Sequence, residues 1–346
     1  MEKYFIASNS SNGFCSYYDK AFDIRKFYKI YAIKGGSGTG KAFFMREVAK
    51  RAEEKGFSVR YIYCSSDSSS LDAIIVNELK LAVLDGTAPH VYEPRMIGAL
   101  DEIVDLGAFL NGELLSKSRR LISDMCEKKQ MGFERVYRYL DAYRALSENI
   151  ESLVTPCLKR EKIDRYVQRF AENIAEENGI EENLLVRSIG MRGLSSFDTY
   201  YERAKIYYEI NDYFETAHIM MKEIYSLMKK KNTDLYVSNN PIISSRIDAL
   251  SCERTGLTFE IGNRMSSSSR AINMKRFVDN SAIAEIRQDY RALARTRDYV
   301  LELALLEFEK IRKYHFVLED IYGSAMDFVA KEQFTKEFCN KIFENN

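Results

Sequence analysis

Residues 29–55 read KIYAIKGGSGTGKAFFMREVAKRAEEK. A short apolar run, residues 30–33, meets a glycine-rich turn, and an amphipathic pattern follows. That order predicts strand, loop and helix. The turn satisfies G-x-x-x-x-G-K with Gly35, Gly40 and Lys41, and Gly36 and Gly38 fall between them. Glycines suit such a loop because it needs unusual backbone angles and lets successive N–H groups converge on phosphate oxygens. Ser37 and Thr39 complete the cradle, the helix N-terminus adds its positive end, and the Lys41 ammonium is placed to bridge terminal phosphates. Phe44, Val48 and Ala52 form one stripe of the helix, and Gly56 offers a stop. The alternative is a flexible Gly/Ser turn before a lysine, which would not require this strand and helix context.

One position departs from the motif. Ala42 stands where Ser or Thr normally ligates magnesium, so phosphate contacts survive while metal placement and hydrolysis are weakened. Asp85, at the end of the run ELKLAVLD, is the candidate metal ligand and catalytic carboxylate; before Gly86 it also fits a turn. Residues 58–64 alternate as a strand. Asp67 beyond them reads as a helix N-cap for residues 71–79. His90, Glu93 and Arg95 lie in a loop able to cover a nucleotide, with Arg95 either near phosphate or simply solvated. No guanine-reading N-K-x-D occurs, which favours an adenine nucleotide.

The second half of the chain carries a partial copy of the first. YFIASNSSNGFCSYYDKAFDIRKFYKIYAIKGGSGTGKAFFMREV, from Tyr4, lies over LLVRSIGMRGLSSFDTYYERAKIYYEINDYFETAHIMMKEI, from Leu184. Gly13, Ser16 and Asp19 face Gly193, Ser196 and Asp198; Ile33 faces Ile210, and Thr39 faces Thr216. The second loop has no glycine, and Asp212 and Glu215 add charge that repels a polyphosphate. Each copy carries a helical tail, residues 114–177 and 283–328, expected as a helical hairpin. The tails' tyrosines and phenylalanines, Tyr137, Tyr143 and Phe316 among them, read as core rather than as nucleic-acid stacking platforms, and Lys128–Lys129 as a solvated pair.

The 346 residues hold 51 basic and 51 acidic side chains, so no net charge draws the chain to nucleic acid or anionic membrane. With 46% hydrophobic residues, 4 Pro and 17 Gly, the composition is that of a helix-rich globular protein. The six cysteines form no C-x-x-C pair and read as reduced core thiols, and three scattered histidines give no metal motif. No run of about 18 apolar residues occurs and the opening MEKYFIASNSSNG lacks a leader pattern, so no membrane and a cytoplasmic address are expected.

The opening FIASNSSNGFCSYYD, the loop IKGGSGTGK and the run DSSSLDAIIVNELKLAVLDGTAPHVYEPRMIGALDEIVDLG together resemble an uncharacterised bacterial family of tandem P-loop ATPase-like (P-loop NTPase) proteins; YHFVLEDIYGSAMDF is similar to the family's closing region. The resemblance implies a nucleotide loop at Gly35, Gly40 and Lys41 and a matching Asp85. Ala42 and the lost second loop depart from it.

The expected architecture is α/β: a P-loop NTPase-like sheet domain duplicated in tandem, residues 1–180 and 181–346, each copy with a helical hairpin extension. The expected function is nucleotide binding, with ATP the first candidate and magnesium a weakened one, through Gly35, Gly36, Ser37, Gly38, Thr39, Gly40, Lys41 and Ala42, with little hydrolysis. An active ATPase or phosphotransferase and a non-binding scaffold stay open, as do a protein partner and a second copy.

Overall fold

The computed structural model describes residues 1–89, 91–174, 179–263 and 270–344. Its first half runs β1 (Glu2–Tyr4), β2 (Ala7–Ser10), β3 (Gly13–Ser16), α1 (Tyr18–Ala21), β4 (Lys29–Lys34), α2 (Lys41–Glu54), β5 (Val59–Tyr63), β6 (Leu71–Val76), β7 (Leu81–Asp85), β8 (Asp101–Asp105), α3 (Gly112–Lys117), α4 (Arg119–Val154) and α5 (Arg160–Val167). The second half runs β9 (Glu181–Asn183), β10 (Arg187–Gly190), β11 (Gly193–Ser196), α6 (Thr199–Arg203), β12 (Ile206–Asn211), α7 (Ala217–Lys230), β13 (Leu235–Asn239), β14 (Ile247–Cys252), β15 (Leu257–Ile261), β16 (Arg270–Asn273), α8 (Asn280–Ser324) and α9 (Phe328–Phe343).

The duplication is written in the sheets. The first has the order β1-β5-β6-β7-β4-β8, and the second β9-β13-β14-β15-β12-β16, which is the same order with each strand replaced by its counterpart. In both, one strand alone, β6 or β14, runs against its neighbours. Each half also has a small hairpin, β2-β3 or β10-β11, turning at a glycine with positive φ, Gly13 at 89° and Gly193 at 79°. The facing pairs Gly13/Gly193 and Ser16/Ser196 therefore occupy equivalent hairpin positions.

Residues 71–79 are not a helix. Leu71–Val76 is buried strand β6 in the middle of the first sheet, where a continuous apolar run ending Ile74-Ile75-Val76 suits a strand covered on both faces. Asp67 accordingly caps no helix: it accepts from Ser69 and pairs with Arg192 of the second half. The segment that opened the sequence reading folds as expected, with β4 in the sheet and α2 burying Phe44, Met45, Val48, Ala49 and Ala52.

The tails are not a hairpin in each copy. α4 has 36 residues and α8 has 45, so they extend about 54 and about 68 Å, and they pair with each other, antiparallel, across the two halves. Gly132 permits the close approach, because a Cβ there would lie 2.6 Å from Ile311. Arg135 reaches buried Glu307 at 2.6 Å, and Val136, Leu140, Ala304, Phe308 and Ile311 fill the seam. Tyr137 and Tyr143 pack against this core, in keeping with a structural role.

Antiparallel pairing delivers the end of each long helix to the start of the other, so each half's last helix lands on the other half's sheet. Isolated bridges mark both crossings: Leu158 with Val278, and Leu110 with Met326. Ile163 and Val167 of α5 then join the core of the second sheet, beside Met220 and Ile224 of α7. Phe338, Cys339, Ile342 and Phe343 of α9 join that of the first, beside Phe44 and Val48 of α2. Each such buried side chain contributes about 1.5–3 kcal/mol, which is ample to fix the exchange. The opposite face of the first sheet packs on α1 and on Leu184, Val186, Tyr200 and Tyr236 of the second half.

Candidate functional site

The glycine loop lies between β4 and α2, at the carboxyl ends of the parallel strands, where open α/β sheets keep their ligands. Gly38 and Gly40 sit at φ 73° and 79°, in the left-handed region, and Gly40 is the N-cap of α2. Thr39 is fully buried and its hydroxyl donates to the Gly36 carbonyl at 2.9 Å, tying the loop's middle together. Among the described residues, no acceptor is bonded to the backbone N–H groups of residues 36–43. A run of free donors at a helix N-terminus is suited to an anion.

Lys41 folds back over this loop, donating to the Gly35 and Gly36 carbonyls at 2.8 and 3.0 Å. Its ammonium also faces Asp85 at 3.4 Å, both side chains being mostly buried. β7 lies beside β4 with Asp85 opposite Ile33, so the strand register brings the carboxylate to the loop. Asp85 accepts from the Thr87 N–H at 2.9 Å and hydroxyl at 2.6 Å. Burial pushes the Asp85 carboxyl above its ordinary value, against the pull of Lys41 and Thr87. The Thr87 contacts make the turn reading of Asp85 true as well: one side chain closes the D-G-T turn and meets Lys41.

Ser37 and Ala42 lie in the same loop and first helical turn, and Ala42 packs toward the core of the first sheet. Magnesium beside such a loop is ordinarily held by a hydroxyl in the position of Ala42. Here that donor is missing and Asp85 is engaged by Lys41 and Thr87, so the residues present do not form the usual donor set for the metal.

The loop after β7 folds on Asp101, which accepts from the Tyr92 hydroxyl at 2.6 Å and from the Arg95 and Met96 N–H groups. Arg95 is exposed there, and Glu93 stands 3.9 Å from Lys34. His90 lies outside the described residues.

α4, α8 and α9 bring to the loop residues that no sequence motif marks. A Cβ on Gly38 would come within 2.5 Å of the Glu319 carbonyl oxygen, and one on Gly36 within 3.1 Å of the Tyr322 ring, so the end of α8 rests on the loop. One turn earlier, His315 faces Glu319 at 3.4 Å and meets the Lys129 ammonium of α4 at 3.2 Å. Lys128 is solvated and pairs with Asp124, but Lys129 turns inward, and burial lowers its pKa. On the other flank Lys331 of α9, 2% exposed, places its ammonium 2.7 Å from where a Gly40 Cβ would be. It sits over the Phe43 and Phe328 rings at 4.3 and 5.4 Å, and burial lowers its pKa too. No spacing rule marks these residues, because their position depends on helices that cross from elsewhere.

The equivalent loop of the second half keeps the frame. Thr216 donates to the Tyr213 carbonyl at 2.7 Å, repeating the bond of Thr39. Phe214 and Glu215 take positive φ, 54° and 59°, without glycine. The Asp212 carboxylate accepts from the N–H groups of Tyr213 and Ala217, both at 2.9 Å, so an internal anion uses donors that the first loop leaves open. Glu215 is ion-paired with Arg297 of α8, and Phe214 packs on Tyr290 at 4.3 Å. His218 faces Glu151 of α4 at 3.0 Å.

No disulfide links the cysteines; Cys157, Cys252 and Cys339 are buried, whereas Cys126 is exposed and so is not the core thiol expected. No described helix is long and apolar enough to cross a membrane. Among the described residues no three His, Cys, Asp or Glu side chains stand close enough to share a metal ion. A separate cleft between the halves is lined by Lys20, Lys26, Arg60, Lys80 and Glu182, but its charges are met by ion pairs such as Arg60–Glu182 and Lys26–Glu182. No family model, curated protein or solved structure matches the chain.

Proposed function

We propose that the chain binds a nucleotide, ATP in the first instance, through the single loop at residues 35–42, with little or no hydrolysis. The observation that carries this reading is the contrast between the unbonded N–H groups of residues 36–43 and their counterparts at Tyr213 and Ala217, which Asp212 already satisfies. Lys41 leaves the loop carbonyls to meet the terminal phosphates, and the N-terminus of α2 adds its partial charge. Ala42 removes the hydroxyl on which metal placement depends, which is why binding rather than turnover is proposed. The likeness of the loop and of the D-G-T-A-P-H segment to a tandem P-loop ATPase-like family supports the same reading.

Isothermal titration of ATP into the purified full chain tests it. One site per chain is expected, with affinity reduced about 10–100-fold in Lys41→Ala, the range for losing charged hydrogen bonds. Absence of binding to the wild-type chain overturns the proposal and leaves a scaffold. ATP turnover at enzyme-like rates overturns its second half.

A further inference from the structure

Three lysines gather at the glycine loop, and only one belongs to the motif. Lys129 comes from α4 and is linked through His315 and Glu319 of α8 to the side of the loop where Gly38 lies. Lys41 is within electrostatic reach of it, a like charge that disfavours the ammonium further. Lys331 comes from α9, at the chain's far end, and touches the opposite flank at Gly40. Among the described residues neither ammonium is ion-paired with a carboxylate: Glu319 pairs with His315, and Lys331 rests on two phenylalanine rings. Inward-facing cations whose nearby carboxylates, Glu319 for Lys129 and Glu332 and Glu47 for Lys331, do not offset their burial, beside a third lysine and a helix N-terminus, form an arrangement that a polyanion would stabilise.

We infer that the loop takes its polyphosphate free of magnesium, with Lys129 and Lys331 supplying the two positive charges that the metal would carry. The inference rests on the nucleotide reading above and deepens it. It accounts together for Ala42, for an Asp85 already held by Lys41 and Thr87, and for two inward-facing lysines on helices that have no part in the strand–loop–helix unit. It also makes the site dependent on the whole fold, since Lys331 reaches the first half only because α9 crosses to it.

The test titrates ATP, and separately inorganic triphosphate, into the full chain in excess EDTA and in excess magnesium. Wild type is expected to bind both probes in EDTA at least as tightly as with magnesium. Lys129→Met and Lys331→Met should each weaken binding in EDTA about tenfold, the scale of a lost charge-assisted contact, while Lys129→Arg keeps most of it. In the absence of ligand both Met variants should unfold no earlier than wild type, because each removes an ammonium that burial disfavours. The wild-type comparison needs no variant, so a Met chain that fails to fold leaves the test intact. Strict magnesium dependence of wild type, or unaltered EDTA binding in both Met variants, overturns the inference. Binding that Lys41→Ala weakens but both Met variants keep overturns this inference alone. A wild type that binds neither probe in either condition overturns the nucleotide reading itself.

Discussion

The loops at residues 35–40 and 212–216 join equivalent strands and helices, β4 to α2 and β12 to α7, and close with equivalent threonine bonds, yet they treat their backbone donors in opposite ways. In the first, glycines carry the positive φ angles and the N–H groups stay without acceptors. In the second, Phe214 and Glu215 take positive φ without glycine, and the Asp212 carboxylate takes two of the N–H groups. The difference teaches that the strand–loop–helix framework can survive without its glycines once an internal carboxylate meets the loop. A carboxylate on the chain satisfies two donors at the helix start and withdraws them from any ligand.

The comparison can be broken most directly at Gly38. Gly38→Ala places a Cβ at φ 73° and within 2.5 Å of the Glu319 carbonyl oxygen. A loss of about 1–3 kcal/mol in stability, read by denaturant unfolding, and at least a tenfold loss of ATP affinity are expected. An unaltered affinity would show that the loop's backbone shape is not what binds.

At the second loop the expected effect is smaller and of a different kind. Asp212→Ala frees the N–H groups of Tyr213 and Ala217 and should cost about 1 kcal/mol, the worth of a helix cap, lowering the melting temperature by about 2 °C. ATP stoichiometry should stay at one, since Glu215 and the Phe214 side chain still fill the loop. A second site appearing in this variant would mean that Asp212 alone separates the two halves.

The smallest effects are in pH, and the two loops have opposite signs. Burial raises the Asp85 carboxyl, so the folded state holds its proton more tightly than the unfolded one. That contribution is present below the ordinary carboxylate value and fades as pH rises through the raised one. Glu151, at the second loop, is lowered to about 2, chiefly by its hydrogen bond to His218 and aided by Arg246. Its contribution is present above the ordinary value near 4.5 and is lost as pH falls toward 2, and it is modest because the side chain is 41% exposed. Chemical unfolding from pH 2 to 7 should therefore show a flatter acid slope in Glu151→Gln, and in Asp85→Asn the loss of the part of the profile that falls with rising pH. The same slopes in both variants as in wild type would remove the ion pairs from the account.

How much of this was legible depended on how local the physics was. The strand, glycine loop and helix at residues 29–55 could be read because glycine spacing and a four-residue stripe are properties of a short stretch. The positions of Lys41 at the helix start and Asp85 at a strand end are local for the same reason, whereas their 3.4 Å contact comes from the strand register. Residues 71–79 look helical in sequence because Asp67 and the serines after it imitate a helix start, whereas β6 is a strand by virtue of neighbours on both sides.

In sequence Lys129 looks like half of a solvated pair; Lys128 is indeed solvated, and a basic dipeptide does not say which member turns inward. Lys331 carried no signal at all, and the exposure of Cys126 could not be told from its sequence neighbours.

By itself, then, the sequence determined the repeated α/β unit, the loop with its lysine, the missing hydroxyl at Ala42 and the loss of glycine from the second copy. The tertiary structure alone decided that the long helices pair across the halves, that the last helix of each half is exchanged, and that Lys129 and Lys331 come to rest beside the loop. Local pattern specifies which face of an element is apolar; which other face it meets is settled only when all the elements compete to bury their surface at once.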